Sequence, residues 1–187
     1  MLSALIKKLL FVRQFSIDEG KVEILGERHV MLPDSALLEL QEIDPTKFYE
    51  LMKSSALKQL QDFVDHARVY KNLKDVLFGD IGKLSRKLGT GEGIVKNLQD
   101  IFSIYGLEAL EIPSLDNAKK EAVVRVRDST IARAYLNKNK ARSRKPTCVI
   151  TAAVLAAMFS FLFGKNVDAA EDKCMSQNST YCEFTVR

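Results

Sequence analysis

Apolar positions recur along most of the chain at one of two spacings, and the alternation between them sets out the elements. Over Met1–Val12, Leu2, Leu5, Ile6, Leu9 and Leu10 fall at helical spacing with Lys7 and Lys8 opposite, which predicts an amphipathic helix. The following F-S-I-D-E-G-K-V-E-I segment changes to a period of two. Val22 and Ile24 alternate with Lys21 and Glu23, Asp18-Glu19-Gly20 supplies a turn, and Gly26 offers a second, so a short meander ends at Pro33. Asp34 or Ser35 caps a short helix through Leu40. Asp44-Pro45 then starts a longer one, with the aspartate at the N-cap and proline at the first helical position. Phe48, Met52, Ala56, Leu60, Phe63 and Ala67 lie three or four apart and form one buried face of about six turns.

Ile94, Leu98, Ile101, Phe102 and Tyr105 form a further helical stripe, stopped by Gly106. Leu107–Ile112 and Glu121–Arg127 read as strands joined by Pro113–Lys120, and in the second Val124 and Val126 alternate with Arg125 and Arg127. The pattern over Ile131–Leu136 does not distinguish helix from strand. Val149–Phe163 is apolar on every side. Thr151 and Ser160 interrupt it, and it falls short of the roughly 20 residues that span a bilayer, so it is expected as a buried core helix. A signal peptide would place its charges before the apolar run and a small-residue cleavage site after it; Met1–Val12 does neither, so an amphipathic helix of the fold is expected.

Composition narrows the class. At 187 residues, 47% hydrophobic and 28% charged, the chain suits one ordinary globular domain spanning 1–187. The net charge of +4 is too mild for a nucleic-acid signature. Five of its cations crowd into Lys138–Lys145, at Lys138, Lys140, Arg142, Arg144 and Lys145, with no stacking aromatics, so a solvated loop is expected there. Gly79, Gly82, Gly89, Gly91 and Gly93 follow neither phosphate-loop nor dinucleotide spacing and mark breaks between short helices, or a flap. An odd number of cysteines, three, argues against a secreted disulfide framework and for the reducing cytoplasm, where the Asn178-Ser179-Thr180 sequon has no role.

Candidate chemistry concentrates at the C-terminus. Cys148, Glu171, Cys174 and Cys182 offer three thiolates and a carboxylate, a complete tetrahedral set for zinc, spaced E-x2-C-x7-C behind a helix that begins at a cysteine. The alternative is three buried cysteines without metal. A closed set of this kind leaves no position for an activated water and is structural rather than catalytic. Its net charge of −2 would need compensation, for which Lys173 or the upstream basic run is available. His29 and His66 are isolated, and no nucleophile–base grouping stands out.

The same stretch resembles the 4-vinyl reductase domain family: a cysteine opening an apolar helix that ends in glycine (Cys148 to Gly164), a strand (Val167–Ala170), Glu171-x2-Cys174, a turn and a Tyr-Cys-x-Phe strand (Tyr181–Phe184). Arg125–Ser129 matches the lead-in strand, so the motif core runs 121–187. The turn departs from the family's Gly-Asp-Pro and has Asn178-Ser179-Thr180, where asparagine tolerates the left-handed backbone. The superfamily includes sensory domains of phenol-responsive bacterial activators and subunits of a Golgi tethering complex. The resemblance implies an α+β fold, an antiparallel sheet covered by helices. It also implies zinc at the four ligands and a pocket for a hydrophobic, hydrocarbon-like small molecule between the sheet and the helix after Cys148. Phe102, Tyr105, Ala153 and Ala157 are the expected walls of a cavity on the order of 300 Å3. The absence of tryptophan and the early position of both histidines mean that phenol specificity does not transfer. Nothing identifies a hydride donor, so reductase activity is not carried over. A homodimer through Met1–Val12 is expected from its apolar stripe. An interaction module without ligand, and more weakly a nucleic-acid-associated regulator, are the alternatives.

Overall fold

The structure is a computed structural model and describes residues 15–18, 21–24, 27–69 and 110–187. The expected helix over Met1–Val12, the glycine cluster Gly79–Gly93 and the stripe Ile94–Tyr105, including Phe102 and Tyr105, lie outside the described residues. The chain divides into two compact units, one ending at Pro33 and one running Asp34–Arg187.

The first unit holds the meander. Strands β1 (Phe15–Asp18), β2 (Lys21–Ile24) and β3 (Glu27–His29) pair antiparallel, with Phe15 opposite Ile24 and Val22 opposite His29. The expected turn residues Glu19, Gly20 and Gly26 lie outside the described residues.

The second unit opens with α1 (Asp34–Ile43) and α2 (Pro45–Val69). The first runs to Ile43 rather than stopping at Leu40, directly up to the capping Asp44. There the Lys47 N–H donates to the Asp44 carboxylate at 3.0 Å. Of the anticipated stripe, Phe48, Met52, Ala56 and Leu60 pack into the core, and the side chains of Phe63 and Ala67 lie outside the described residues. The sheet has the order β4-β5-β7-β6, all neighbours antiparallel: β4 (Leu110–Asp116), β5 (Glu121–Val126), β6 (Ala169–Lys173) and β7 (Cys182–Val186). It bears out the antiparallel, helix-covered α+β class. Strand β4 extends through Pro113, which the sequence pattern places in a connection. Proline is tolerated because β4 is an edge strand and its register shifts between Glu111 and Ser114.

The untyped element is helix α3 (Thr130–Asn139), whose N-cap Ser129 accepts from the Ala132 N–H. Helix α4 (Val149–Phe163) is buried on almost every side. It lies along α2 and against β6 and β7, and it ends at Gly164, whose φ of 60° is the left-handed region glycine adopts without strain. Alternation on β5 and β7 sends Ala122, Val124, Val126, Cys182, Phe184 and Val186 into the core against Leu155, Met158 and Phe159.

An apolar helix buried at its start must still satisfy its first N–H groups. Gln41, on α1 and only 3% exposed, meets part of that need. Its side-chain amide donates to the Thr147 carbonyl at 2.5 Å, and its Oε1 accepts from the Ile150 N–H at 3.4 Å. One glutamine thus ties α1 to the first turn of α4 across more than a hundred residues. Near the start of α2, Tyr49 accepts from the Ala169 N–H and donates to Asp168, while Lys53 pairs with Asp168 at 2.6 Å, so α2 holds the entry to β6. Replacing Gln41 with leucine leaves a buried carbonyl and a buried amide unpaired. The expected loss is about 1–3 kcal/mol, read from urea denaturation as a lower midpoint with an unchanged slope.

Candidate metal centre

The residues singled out for metal binding come from three different elements and converge under the N-terminus of α4. Cys148 is the residue immediately before the helix, Glu171 lies in β6, Cys174 follows β6, and Cys182 opens β7. One ligand atom from each lies within 4.8 Å of the others. The sulfurs form a near-equilateral triangle: Cys148 to Cys182 3.6 Å, Cys148 to Cys174 3.8 Å and Cys182 to Cys174 3.9 Å. All three cysteines are buried and free of disulfides. The cluster could hold a metal ion.

Local backbone geometry makes this convergence possible. In a regular strand, residues three apart point to opposite faces. Glu171 and Cys174 would then diverge. The β6–β7 register shifts between Glu171 and Lys173, and the extra residue restores both side chains to the inner side. Beyond Cys174 the chain makes a single 3-10 turn, Met175–Gln177, closed by Asn178 at φ 97°. That left-handed asparagine is what the departure from Gly-Asp-Pro required. The turn brings Cys182 back beside Cys174.

Glu171 has two distinct oxygens. Oε2 accepts from the Cys148 N–H at 2.8 Å, so the carboxylate also caps the start of α4. Oε1 is buried with no hydrogen-bond partner. A buried carboxylate oxygen left bare beside three sulfurs fits a donor set waiting for a cation, since leaving it unpaired is costly. Burial first, and then the charge on Cys174, push Glu171 up to about 8. Cys174 is drawn far below the ordinary thiol range, because Cys148 and Cys182 donate to it, with Ser176 and Thr147 adding to the effect. Cys148 is pushed up by donating to both other sulfurs and by burial. For Cys182 the hydrogen bond from Cys148 pulls down, but its own donation to Cys174 and burial outweigh it, so it too is raised.

Three of the cations anticipated as compensators, Lys173, Lys138 and Arg142, go elsewhere, and Lys140, Arg144 and Lys145 are exposed. Lys173 points to the outer face of the sheet, pairing with Glu183 at 2.7 Å and lying over the Tyr181 ring. The same bulge that brings Glu171 and Cys174 inward turns Lys173 out. Within the basic run, Lys138 pairs with Glu42 and Glu39 on α1, and Arg142 donates to the Met175 carbonyl. The Ser143 N–H donates to the Ser176 carbonyl, and Gln177 donates to the Arg144 carbonyl, so the loop is sewn to the turn after Cys174. Hydroxyls stand where the cations were expected. Ser129, Thr147 and Ser176 are buried around the sulfurs, and sequence reasoning misses them because isolated serines and threonines carry no spacing signal.

Of the expected pocket walls, Ala153 and Ala157 are fully buried on α4, one turn apart, while Phe102 and Tyr105 fall outside the described residues. His29 ends β3 and His66 lies within α2.

Residues 122–187 match the family model of the 4-vinyl reductase domain, the family the sequence resembles. The chain is also similar, at 16% identity, to the phenol-responsive sensory domain of the transcription activator PoxR solved with phenol. That likeness has a TM-score of 0.63 and covers 98% of this chain and 90% of that one, and it supports the fold. Weaker likenesses are to a vinyl-4-reductase family protein of Methanocaldococcus jannaschii (16% identity, 75% and 93% of the two chains, TM-score 0.39) and to a trafficking protein particle complex subunit 3 of Naegleria fowleri, covalently bound to palmitic acid (14%, 78% and 95%, TM-score 0.34). No curated protein matches the chain.

The proton inventory yields a direct test. Burial and hydrogen bonding favour the protonated forms of Cys148, Cys182 and Glu171 and the ionised form of Cys174. A divalent metal must expel those protons, so roughly three should be released per metal bound, and affinity should fall steeply as pH drops. Indicator-dye titration in weak buffer measures this. By the same count, Glu171→Gln should release roughly two. Release of fewer than two by the wild-type chain would contradict the assignment of protons.

Proposed function

We propose that this chain is a zinc-stabilised sensory domain for a hydrophobic small molecule. The observation that carries the reading is the closed three-sulfur, one-oxygen cluster, set within a fold shared with a phenol-responsive sensory domain. Zinc is the dication that fits: it accepts thiolate and carboxylate together, at tetrahedral coordination, without preference for further ligands. With all four positions supplied by protein, its role is structural, and no residue of the cluster is left to activate water.

The domain's working parts follow from what the cluster joins. Zinc would fix the residue before α4 to β6 and to the start of β7, making the helix and the sheet one rigid wall. A ligand seated beside α4 is proposed to rest on Ala153 and Ala157, both fully buried on that helix. The likeness to the PoxR sensory domain supports a small organic ligand as the class, and at 16% identity it does not select phenol. Phe102 and Tyr105 are proposed as the facing wall. Among the described residues no helix is long and apolar enough to cross a membrane, and the reduced thiols suit the cytoplasm.

A second reading, an interaction module without ligand, draws on exposed apolar side chains such as Val30 and Ile43, 84% and 80% accessible. Homodimerisation through Met1–Val12 belongs to either reading. Native mass spectrometry of protein purified from its own source separates them. One zinc per chain with an additional organic mass of a few hundred daltons or less is expected, and the same spectrum reports monomer or dimer. Zinc without any organic mass, across preparations from ligand-rich cells, would favour the interaction module.

A further inference from the structure

A zinc ion with three thiolates and one carboxylate carries a net charge of −2, and a buried charge of that size needs compensation. Of the lysine and arginine side chains near in sequence, Lys173, Lys138 and Arg142 are committed to Glu183, to Glu39 and Glu42, and to the Met175 carbonyl, and Arg144 and Lys145 are exposed. Each sulfur instead faces at least one neutral donor. Ser129 Oγ lies 3.2 Å from Cys148 Sγ and already accepts from the Ala132 N–H, so its own proton is free for the sulfur. The Met175 N–H donates to Cys182 Sγ at 3.4 Å. Ser176 Oγ lies 3.0 Å from Cys174 Sγ.

The third contact has a feature the others lack. The Thr147 hydroxyl donates to Ser176 Oγ at 3.1 Å, so the serine oxygen is occupied as an acceptor and its proton points to the sulfur. Thr147 Oγ1 itself lies 3.4 Å from Cys174 Sγ. Both residues are buried, Ser176 completely. Chains of hydroxyls polarise one another, and in a water-free setting each link strengthens the next. Thr147 immediately precedes one ligand and Ser176 follows another by two positions, so the relay crosses the cluster from α4 to the turn after β6.

We infer that the Thr147–Ser176 hydroxyl relay is the positioning and charge-compensating donor to the Cys174 thiolate, and that it tunes how tightly and how covalently this chain holds its metal. The inference rests on the zinc reading above. A hydrogen bond to a thiolate lowers the energy of the sulfur lone pairs, so it weakens donation to the metal and raises the energy of sulfur-to-metal charge transfer. Loss of an outer-shell partner costs roughly 10–100-fold in metal affinity.

Cobalt(II) in place of zinc makes the sulfur–metal bond visible in the near ultraviolet. In Ser176→Ala the sulfur-to-cobalt band should move to longer wavelength and the metal affinity, by chelator competition, should fall roughly tenfold or more. Ser176→Thr, which keeps the hydroxyl, should retain the wild-type band. Thr147→Val keeps the shape but removes the upstream donor, and should shift the band in the same direction by a smaller amount. Gln177→Ala removes a contact of the same turn to Arg144 without touching a sulfur, and should leave the band in place. A band unmoved in both Ser176→Ala and Thr147→Val overturns the relay while leaving the metal site standing. If Ser176→Ala fails to fold, Thr147→Val alone decides. A wild-type chain that gives no sulfur–cobalt band removes the zinc reading and the relay together.

Discussion

Four acidic groups converge on one buried point, and most of the C-terminal architecture follows from how their mutual repulsion is handled. Without metal, protons ease it: burial and hydrogen bonding raise Cys148, Cys182 and Glu171, while donation from the neighbouring thiols draws Cys174 down. With a dication in the centre the protons are unnecessary, and the three elements that deliver the ligands are locked at a common point. The ligands span Cys148 to Cys182, a loop whose closure entropy a single ion would offset. Structural zinc sites contribute about 10–16 kcal/mol in small peptides, against a net stability of about 5–15 kcal/mol for a whole domain. Even a fraction of that is enough to make the β6–β7 hairpin and the start of α4 depend on the ion.

The same point solves a second problem. Helix α4 is apolar all round and buried, which makes it the centre of the core and leaves its first N–H groups with no water to turn to. Glu171 takes the N–H of Cys148, and Gln41 reaches over from α1 to take that of Ile150. The metal centre and the helix cap therefore share a residue. A change in the position of Glu171 is felt by the helix, and a displacement of α1 is felt at the residue before Cys148, where Gln41 holds the Thr147 carbonyl. For a domain proposed to sense a ligand beside α4, this gives a short physical route between the pocket wall, α1 and the centre.

Much of this is legible in the sequence, and the failures have identifiable causes. The stripe Phe48–Leu60, the cap at Asp44, the buried character of Val149–Phe163 and the alternation in β5 all rest on local periodicity, and the structure has each of them. The ligand types and their gathering follow from chemistry and family resemblance. What cannot be read is parity. A one-residue bulge in β6 decides which side chains face inward, so Lys173, adjacent to Cys174 in sequence, stands on the opposite side of the sheet. Gln41 and Ser176 escape sequence reasoning for a related cause. Their importance lies in partners fixed by tertiary geometry, Thr147 and Ile150 for the one and Cys174 for the other, and nothing in their local sequence marks them.

Zinc held through three sulfurs and one oxygen has a distinctive first shell, which zinc-edge X-ray absorption on the purified, fully reduced protein resolves. Three sulfur scatterers at about 2.3 Å and one oxygen at about 2.0–2.2 Å are expected, with one sulfur lost in Cys174→Ser. A first shell of nitrogen and oxygen only, or a protein that carries no zinc when prepared without chelators, would contradict that coordination.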